Sequence, residues 1–249
     1  MTRRSITGIA AVEAALDAGD PVQVVLVPKA DPAPPEVALA QRAEAAGIAI
    51  WRASDGDLFR MNRPASPDAA PGAPARVLAM AGPPPTANSV AELLARPGAV
   101  WLLSGAAYPS NVGFAIRTAE VSGATGLIVD AHFTRAQRSR ARHVSMGAHR
   151  LLPVLYAPTA EVLDAVRATP RHLVAVEDVG AVSPWEADLA GDVVIVLGNE
   201  RDGLDATVLD AAAACVRIPM AGFVPSYNLQ AAMTAIAAER LRQLAHSRP

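Results

Sequence analysis

Apolar residues alternate along this chain between two spacings, one helical and one unbroken. Ile6, Ile9, Val12, Ala15 and Leu16 fall on one stripe, which predicts a helix over 6–19. The run VQVVLV (22–27) predicts a buried strand, 37–47 a helix ended by Gly47, and 48–53 a second strand. The rhythm returns after residue 100, with strands at 100–105, 125–130, 153–157, 172–177, 193–198 and 215–220. Helices are predicted at 111–122, 137–147, 160–169 and 203–213, and a long final helix at 226–246. Strands so rich in Val, Ile and Leu that they show no alternation suit a parallel sheet covered on both faces. The class is α/β throughout, without a tandem repeat.

Proline and glycine mark the seams. Residues 64–74 (PASPDAAPGAP) and 82–88 (GPPPTAN) are too proline-dense for a helix or a central strand, and between them lies only the strand-like run ARVLAMA. This predicts a smaller N-terminal unit over 1–75, a connector over 76–88 and a larger unit over 89–249.

Composition narrows the class. Hydrophobic residues make up 51% and charged residues 18%, enough for a sizeable core and too apolar for disorder. No apolar run reaches the roughly 18–20 residues of a membrane span, and the N-terminus lacks a secretory hydrophobic region. The single cysteine, Cys215, excludes a disulfide framework within the chain and a cysteine-rich zinc site. At the start of a predicted strand it reads as a structural thiol. The expectation is a cytoplasmic protein with no membrane partner and no metal. The net charge of −2 argues against a nonspecific nucleic-acid binder, but it hides a polarised chain. Residues 131–150 hold five arginines and three histidines with no acid, whereas 151–200 hold eight acids against two arginines. Lys29 is the only lysine, so the basic surface is almost wholly guanidinium, suited to bidentate phosphate contacts.

In open parallel sheets ligands bind beyond the carboxyl ends of the strands, and three predicted loops there carry unusual polar residues. In 104–126, Ser110 is placed to cap a helix, and Arg117 follows Asn111 by six positions in a mostly apolar helix. Arg117 reads equally as a solvent-facing arginine or as a guanidinium aimed at phosphate or ribose. In 193–204, Gly198, Asn199 and Glu200 form a tight turn where a ligand can approach backbone N–H groups; neither GxGxxG nor GKS/GKT is present. In 217–239, Ser226 and Asn228 stand where the final helix starts, a position that helix capping alone would explain. Pro219 and Met220 lie in an apolar loop able to wall an adenine ring.

In this order and spacing the three loops resemble the SpoU (TrmH-like) branch of the SPOUT methyltransferase superfamily. The resemblance rests on Asn111…Arg117-Thr118-Ala119, Leu197-Gly198-Asn199-Glu200…Gly203-Leu204 and Ile218-Pro219-Met220…Ser226-Tyr227-Asn228, with Ser145-Met146-Gly147-Ala148 before Leu152-Pro153 in support. Residues 7–19 followed by VQVVLV resemble, more weakly, the ribosomal-L30e-like substrate-binding domain often fused in front. The resemblance implies an α/β domain with a C-terminal trefoil knot, a homodimer with its active site at the subunit interface, and S-adenosylmethionine held largely by backbone groups. The cofactor contacts would come from Leu197, Gly198, Asn199, Ile218, Met220, Tyr227 and Leu229.

The implied reaction is 2′-O-methylation of a ribose in RNA, ribosomal rather than transfer RNA. Arg117 takes the place of the family's catalytic arginine. Arginine keeps its proton in proteins and is a poor free base, so its role is to orient ribose and phosphate and stabilise a developing alkoxide. Asn111, Glu200, Ser226 and Asn228 would orient that arginine, the cofactor and the 2′-hydroxyl. Arg135, Arg138, Arg140 and Arg142 would track the RNA backbone, their plain alternative being a solvated helix face. Tyr227 and Gln230 depart from the usual Ser-Leu-Asn-Val-Ser, Arg201 replaces a glycine, and the interdomain His-Gln-Gly element is absent. The competing functions are methylation of a base nitrogen or of tRNA, and an RNA-binding or assembly factor without turnover.

Overall fold

The computed structural model describes residues 3–62, 75–199, 201–224 and 226–246, and the chain parts into two compact units, Met1–Pro84 and Pro85–Pro249. In the first unit β1 (Arg4–Thr7), α1 (Ile9–Asp17), β2 (Val22–Pro28), α2 (Pro34–Ala45), β3 (Ala49–Ala53), α3 (Asp55–Met61) and β4 (Leu78–Ala81) form a sheet in the order β1-β4-β2-β3 with flanking helices. Two expectations are corrected here. Residues 6 and 7 belong to a strand rather than to the first helix, because β1 pairs antiparallel with β4, Ile6 opposite Ala79. The sheet is also mixed rather than parallel: β2 runs antiparallel to β4 and parallel to β3. The strand-like run in the proline-rich region is β4 itself, paired in this sheet.

The second unit contains α4 (Val90–Leu94), β5 (Val100–Leu103), α5 (Pro109–Val121), β6 (Gly126–Val129), α6 (Arg135–Val144), a 3-10 turn at Ala148–Arg150, β7 (Val154–Tyr156), α7 (Thr159–Arg167), β8 (His172–Val176), β9 (Val193–Leu197), α8 (Ala206–Ala211), β10 (Ala214–Val216) and α9 (Leu229–His246). Its six strands are all parallel, in the order β10-β8-β9-β5-β6-β7. Alternate residues serve opposite faces, as the pleat requires. Trp101, Leu103, Val129 and Ile195 join the core beneath α5 and α9, while Val100, Leu102, Ile128 and Val194 join the core beneath α4, α7 and α8. Burial on both faces is why these strands read as unbroken apolar runs.

Local chemistry sets the helices that matter for the site. Gly113 lets α5 meet α6 closely: a Cβ there would stand 2.6 Å from the Ala141 carbonyl oxygen and from the Val144 Cβ. Ser110 lies inside α5 rather than capping it, because the helix starts at Pro109. A capping box opens α6, in which the Gln137 N–H donates to Thr134 Oγ1 and the Thr134 N–H to Gln137 Oε1 (2.8 Å). The predicted strand 215–220 ends early, at Val216. Beyond it the Arg217 N–H donates to the Val182 carbonyl (2.8 Å), and Pro219 has no N–H for a ladder. Among the described residues no helix is long and apolar enough to cross a membrane, and no three His, Cys, Asp or Glu side chains gather as a metal site.

Candidate active site

The chain leaves β5 outward to β6 and β7, then crosses to β8 and returns through β9 to pair with β5. The β5/β9 boundary is therefore the topological switch point, where the loops after the two strands diverge and leave a crevice. Each of the three sequence-predicted loops opens from this carboxyl rim; direct hydrogen bonds join the first to the second and the third to the first, and Glu177 bridges the second to the end of β10, which leads into the third. The first meets the second where the Ser104 N–H donates to the Leu197 carbonyl (2.9 Å). The second meets the third through Glu177, whose Oε2 accepts from the Leu204 N–H (2.9 Å) while its own N–H donates to the Val216 carbonyl (3.0 Å). The third returns to the first where Asn228 Nδ2 donates to Asn111 Oδ1 (3.4 Å).

Within this ring the turns are tight. Asn199 Oδ1 accepts from the N–H groups of Arg201 and Asp202, both at 2.7 Å, and so closes the turn after β9. A Cβ on Gly198 would stand 2.3 Å from the Gly203 carbonyl carbon, so only glycine lets the two arms of the turn approach. Asn228 also caps α9, its Oδ1 accepting from the Gln230 N–H (3.0 Å). The plain capping explanation thus holds for Asn228, while its amide still reaches Asn111. The Tyr227 hydroxyl donates to the Pro219 carbonyl (3.2 Å), tying together the two ends of the third loop. Leu197 and Leu229 bury their side chains in the core and have only main-chain groups to offer a ligand.

Beside the ring lies a cavity of about 430 Å³ lined by Asp178, Val182, Ser183, Arg217, Ile218 and Met220, among others. The sequence marks Ile218 and Met220 for a ligand; it leaves Glu177, Asp178 and Arg217 unmarked. Their one signal is position, since Glu177 and Asp178 directly follow β8 at the carboxyl rim. Cys215 is half-buried, and burial together with the carboxylates of Glu177 and Asp178 pushes its thiol pKa up, which keeps it protonated and unreactive.

Other candidates take no part in the hydrogen bonds of the ring among the described residues. Arg117 is exposed and makes no hydrogen bond or ion pair among the described residues; it shares the outer face of α5 with Phe114 (45% exposed) and Val121 (72%). Ser226 is exposed. Glu200 lies outside the described residues. On α6, Arg135, Arg140 and Arg142 are exposed, whereas Arg138 is half-buried with its guanidinium 4.0 Å above the centre of the Tyr156 ring and its Nε without a partner. Arg138 is thereby engaged in packing, unlike the other three.

Residues 99–238 match the SpoU rRNA Methylase family. The chain is 35% identical over 141 residues to a 23S rRNA (uridine(2479)-2'-O)-methyltransferase of Streptomyces viridochromogenes, a match covering 54% of this chain and 49% of that protein. It is 30% identical over 156 residues to the 23S rRNA (guanosine-2'-O-)-methyltransferase RlmB of Pseudomonas syringae pv. tomato, covering 61% and 62%. The chain therefore spans less than two thirds of the length of either relative. The solved structure of the SpoU methyltransferase AviRb from Streptomyces viridochromogenes in complex with the cofactor AdoMet superposes with a TM-score of 0.59 at 26% identity, over 99% of this chain and 92% of that one.

Proposed function

The chain belongs to the SpoU rRNA methylase family, and from that premise we propose that it transfers the methyl group of S-adenosylmethionine to a ribose 2′-hydroxyl of ribosomal RNA. The observation that carries this reading is the ring of hydrogen bonds that, with Glu177 as a bridge, joins the three loops at the switch point beside a cavity. Both named relatives are 23S rRNA 2′-O-methyltransferases, which favours ribosomal over transfer RNA.

The residues at the rim fit the cofactor. The cavity volume lies within the range of about 300–1,000 Å³ usual for ligands of this size. Ile218, Met220 and Val182 offer apolar walls for an adenine, and Asp178 offers an anion to the cationic end of the molecule. Leu197, Gly198, Asn199, Tyr227 and Leu229 lie outside that lining, and their main-chain groups would reach the cofactor from the adjoining rim turns. When bound, S-adenosylmethionine supplies an activated methyl on a sulfonium. The chain's own task is alignment and charge. Asn111 and Asn228, already joined, orient the acceptor ribose, assisted by Ser226 and Glu200. Arg117 holds the substrate phosphate and ribose and stabilises the developing alkoxide as the hydroxyl proton passes to that phosphate.

Arg117 meets the ring in a homodimer. Support comes from the apolar neighbours Phe114 and Val121, which leave this face of α5 suited to burial against a second copy. The C-terminal segment through α9 forms the family's trefoil knot, and the first unit, which takes β4 from the expected connector 76–88 into its sheet, is an L30e-like domain that binds substrate RNA. Arg135, Arg140 and Arg142 follow the RNA backbone, while Arg138, expected to join them, stays packed on Tyr156. A ribosomal substrate implies action in the cytoplasm. The test is to incubate the full chain with S-adenosylmethionine and unmodified ribosomal RNA and to analyse the digested nucleosides by mass spectrometry. A 2′-O-methyl nucleoside is expected. A base-methylated nucleoside would redirect the reading to another acceptor, and cofactor binding without transfer would redirect it to an assembly factor.

A further inference from the structure

A second cavity, of about 280 Å³, lies away from the carboxyl-rim ring, at the edge of the sheet formed by β7. Its accessible apolar wall comes from Val154 and Leu155, over the fully buried Ile116 and Leu152, and Tyr156 adds an aromatic ring. The polar groups of its lining include Arg142 and His149, and no carboxylate is among them. Arg142 is exposed, and its guanidinium makes no hydrogen bond or ion pair among the described residues. The Tyr156 ring is steadied by Arg138, 4.0 Å from its centre, and by the Phe133 ring at 6.5 Å. The site thus joins a stacking surface to an unpaired guanidinium, the combination that holds a nucleobase and its phosphate in single-stranded RNA. Its volume is just below the range of about 300–1,000 Å³ for drug-sized ligands and suits one base.

The hydrogen-bond network also sets what the histidine reads. The Ser145 hydroxyl is fully buried and donates its one proton to the Arg142 carbonyl (2.7 Å), which can only accept. The same oxygen lies 2.8 Å from His149 Nδ1 and must therefore accept from it. Nδ1 carries the proton, and in the neutral ring Nε2 is left as an acceptor. Burial, with Arg150 and Arg142 nearby, holds the His149 pKa below its ordinary value, so the ring is neutral at physiological pH.

We propose that this cavity is a nucleotide subsite, in which a base packs against Tyr156 and Val154, its phosphate pairs with Arg142, and His149 Nε2 accepts from an exocyclic amino group. It would select an amino-bearing base, such as cytosine, over uracil at a nucleotide other than the methylated one. The inference deepens the RNA reading above and rests on it for the class of ligand, but its test needs no turnover. With the full chain saturated in S-adenosylhomocysteine, to keep the rim cavity filled, CMP and UMP are titrated separately and followed by NMR of the Tyr156 ring protons, which every variant retains. CMP is expected to bind about fivefold more tightly than UMP and to shift those protons. Arg142→Gln should weaken both about tenfold, in keeping with loss of a charge-assisted hydrogen bond. His149→Phe should make the two ligands equal, and Thr86→Trp, at the exposed rim of the cavity, should abolish binding. Undetectable CMP binding, or CMP affinity unchanged by Thr86→Trp, overturns the subsite even if methyl transfer to RNA is found. Binding with this pattern upholds it even if transfer fails.

Discussion

The two ends of the six-stranded sheet use the same side chain to opposite effect. At the amino end Arg171 is 6% exposed, and its guanidinium donates to the carbonyls of Leu94, Arg96, Gly98 and Val193. Burial lowers its pKa, and the converging carbonyls offset the loss of water. The neighbouring loop is equally complete: the Gly98 N–H donates to Asp192 Oδ1 (2.6 Å) and Thr125 Oγ1 to the Pro97 carbonyl (2.5 Å). In α5, the helix that leaves the carboxyl end of β5, Arg117 is exposed and meets no acceptor among the described residues. An arginine enclosed by acceptors of its own chain is committed to the fold, whereas one presented without them is available to a substrate phosphate.

Four measurements sharpen or break this contrast. Arg171→Met should cost about 3–5 kcal/mol in urea unfolding, because it strands several buried carbonyls, with kcat of the folded protein unchanged. A loss below about 1 kcal/mol would remove the structural half of the comparison. Arg117→Ala should lower kcat by about 10²–10³-fold, with cofactor affinity and melting temperature held. A parallel fall in stability would make it another structural arginine. Replacing Arg135, Arg140 and Arg142 together by glutamine should weaken RNA binding and flatten its salt dependence by about 0.7 in slope for each phosphate no longer neutralised. An unchanged slope would return these side chains to solvent. The smallest effect belongs to Glu92, at the start of α4, whose carboxylate accepts from the Asn88 N–H (2.8 Å) and from Arg96 (2.7 Å). These bonds hold its pKa below the ordinary glutamate value of 4.5, so its stabilisation is full above that value and fades as pH falls through the lower folded pKa. Glu92→Gln should shrink the loss of melting temperature between neutral pH and about pH 3, and an identical acid profile would show the cap to be inert.

Legibility in the sequence followed burial. The strands of the second unit are plain as unbroken apolar runs, because both faces of that sheet are covered; each lies within two residues of its predicted ends except β10, which stops four residues early. In the first unit the polar strand β1 was hidden inside a helical stripe, since Arg4–Thr7 has only Ile6 buried and is recognisable only from its partner β4. Helices α3 and α4 also passed unread, each being seven residues or fewer. At the site, Asn111, Gly198, Asn199, Ile218, Met220 and Asn228 were legible as loop residues of unusual type. Glu177, which ties two loops together, was not, nor was the packing of Arg138 on Tyr156.

The amino-acid order by itself determined which segments are strands, helices and rim loops, because local spacing and turn chemistry act over a few residues. Only the tertiary structure decided which arginine is enclosed and which is presented, and which loops close into a ring. Arg171 finds its acceptors up to 77 positions away and Asn228 meets Asn111 across 117. Contacts over such separations are created by the order of strands in the sheet and leave no periodic trace in the chain.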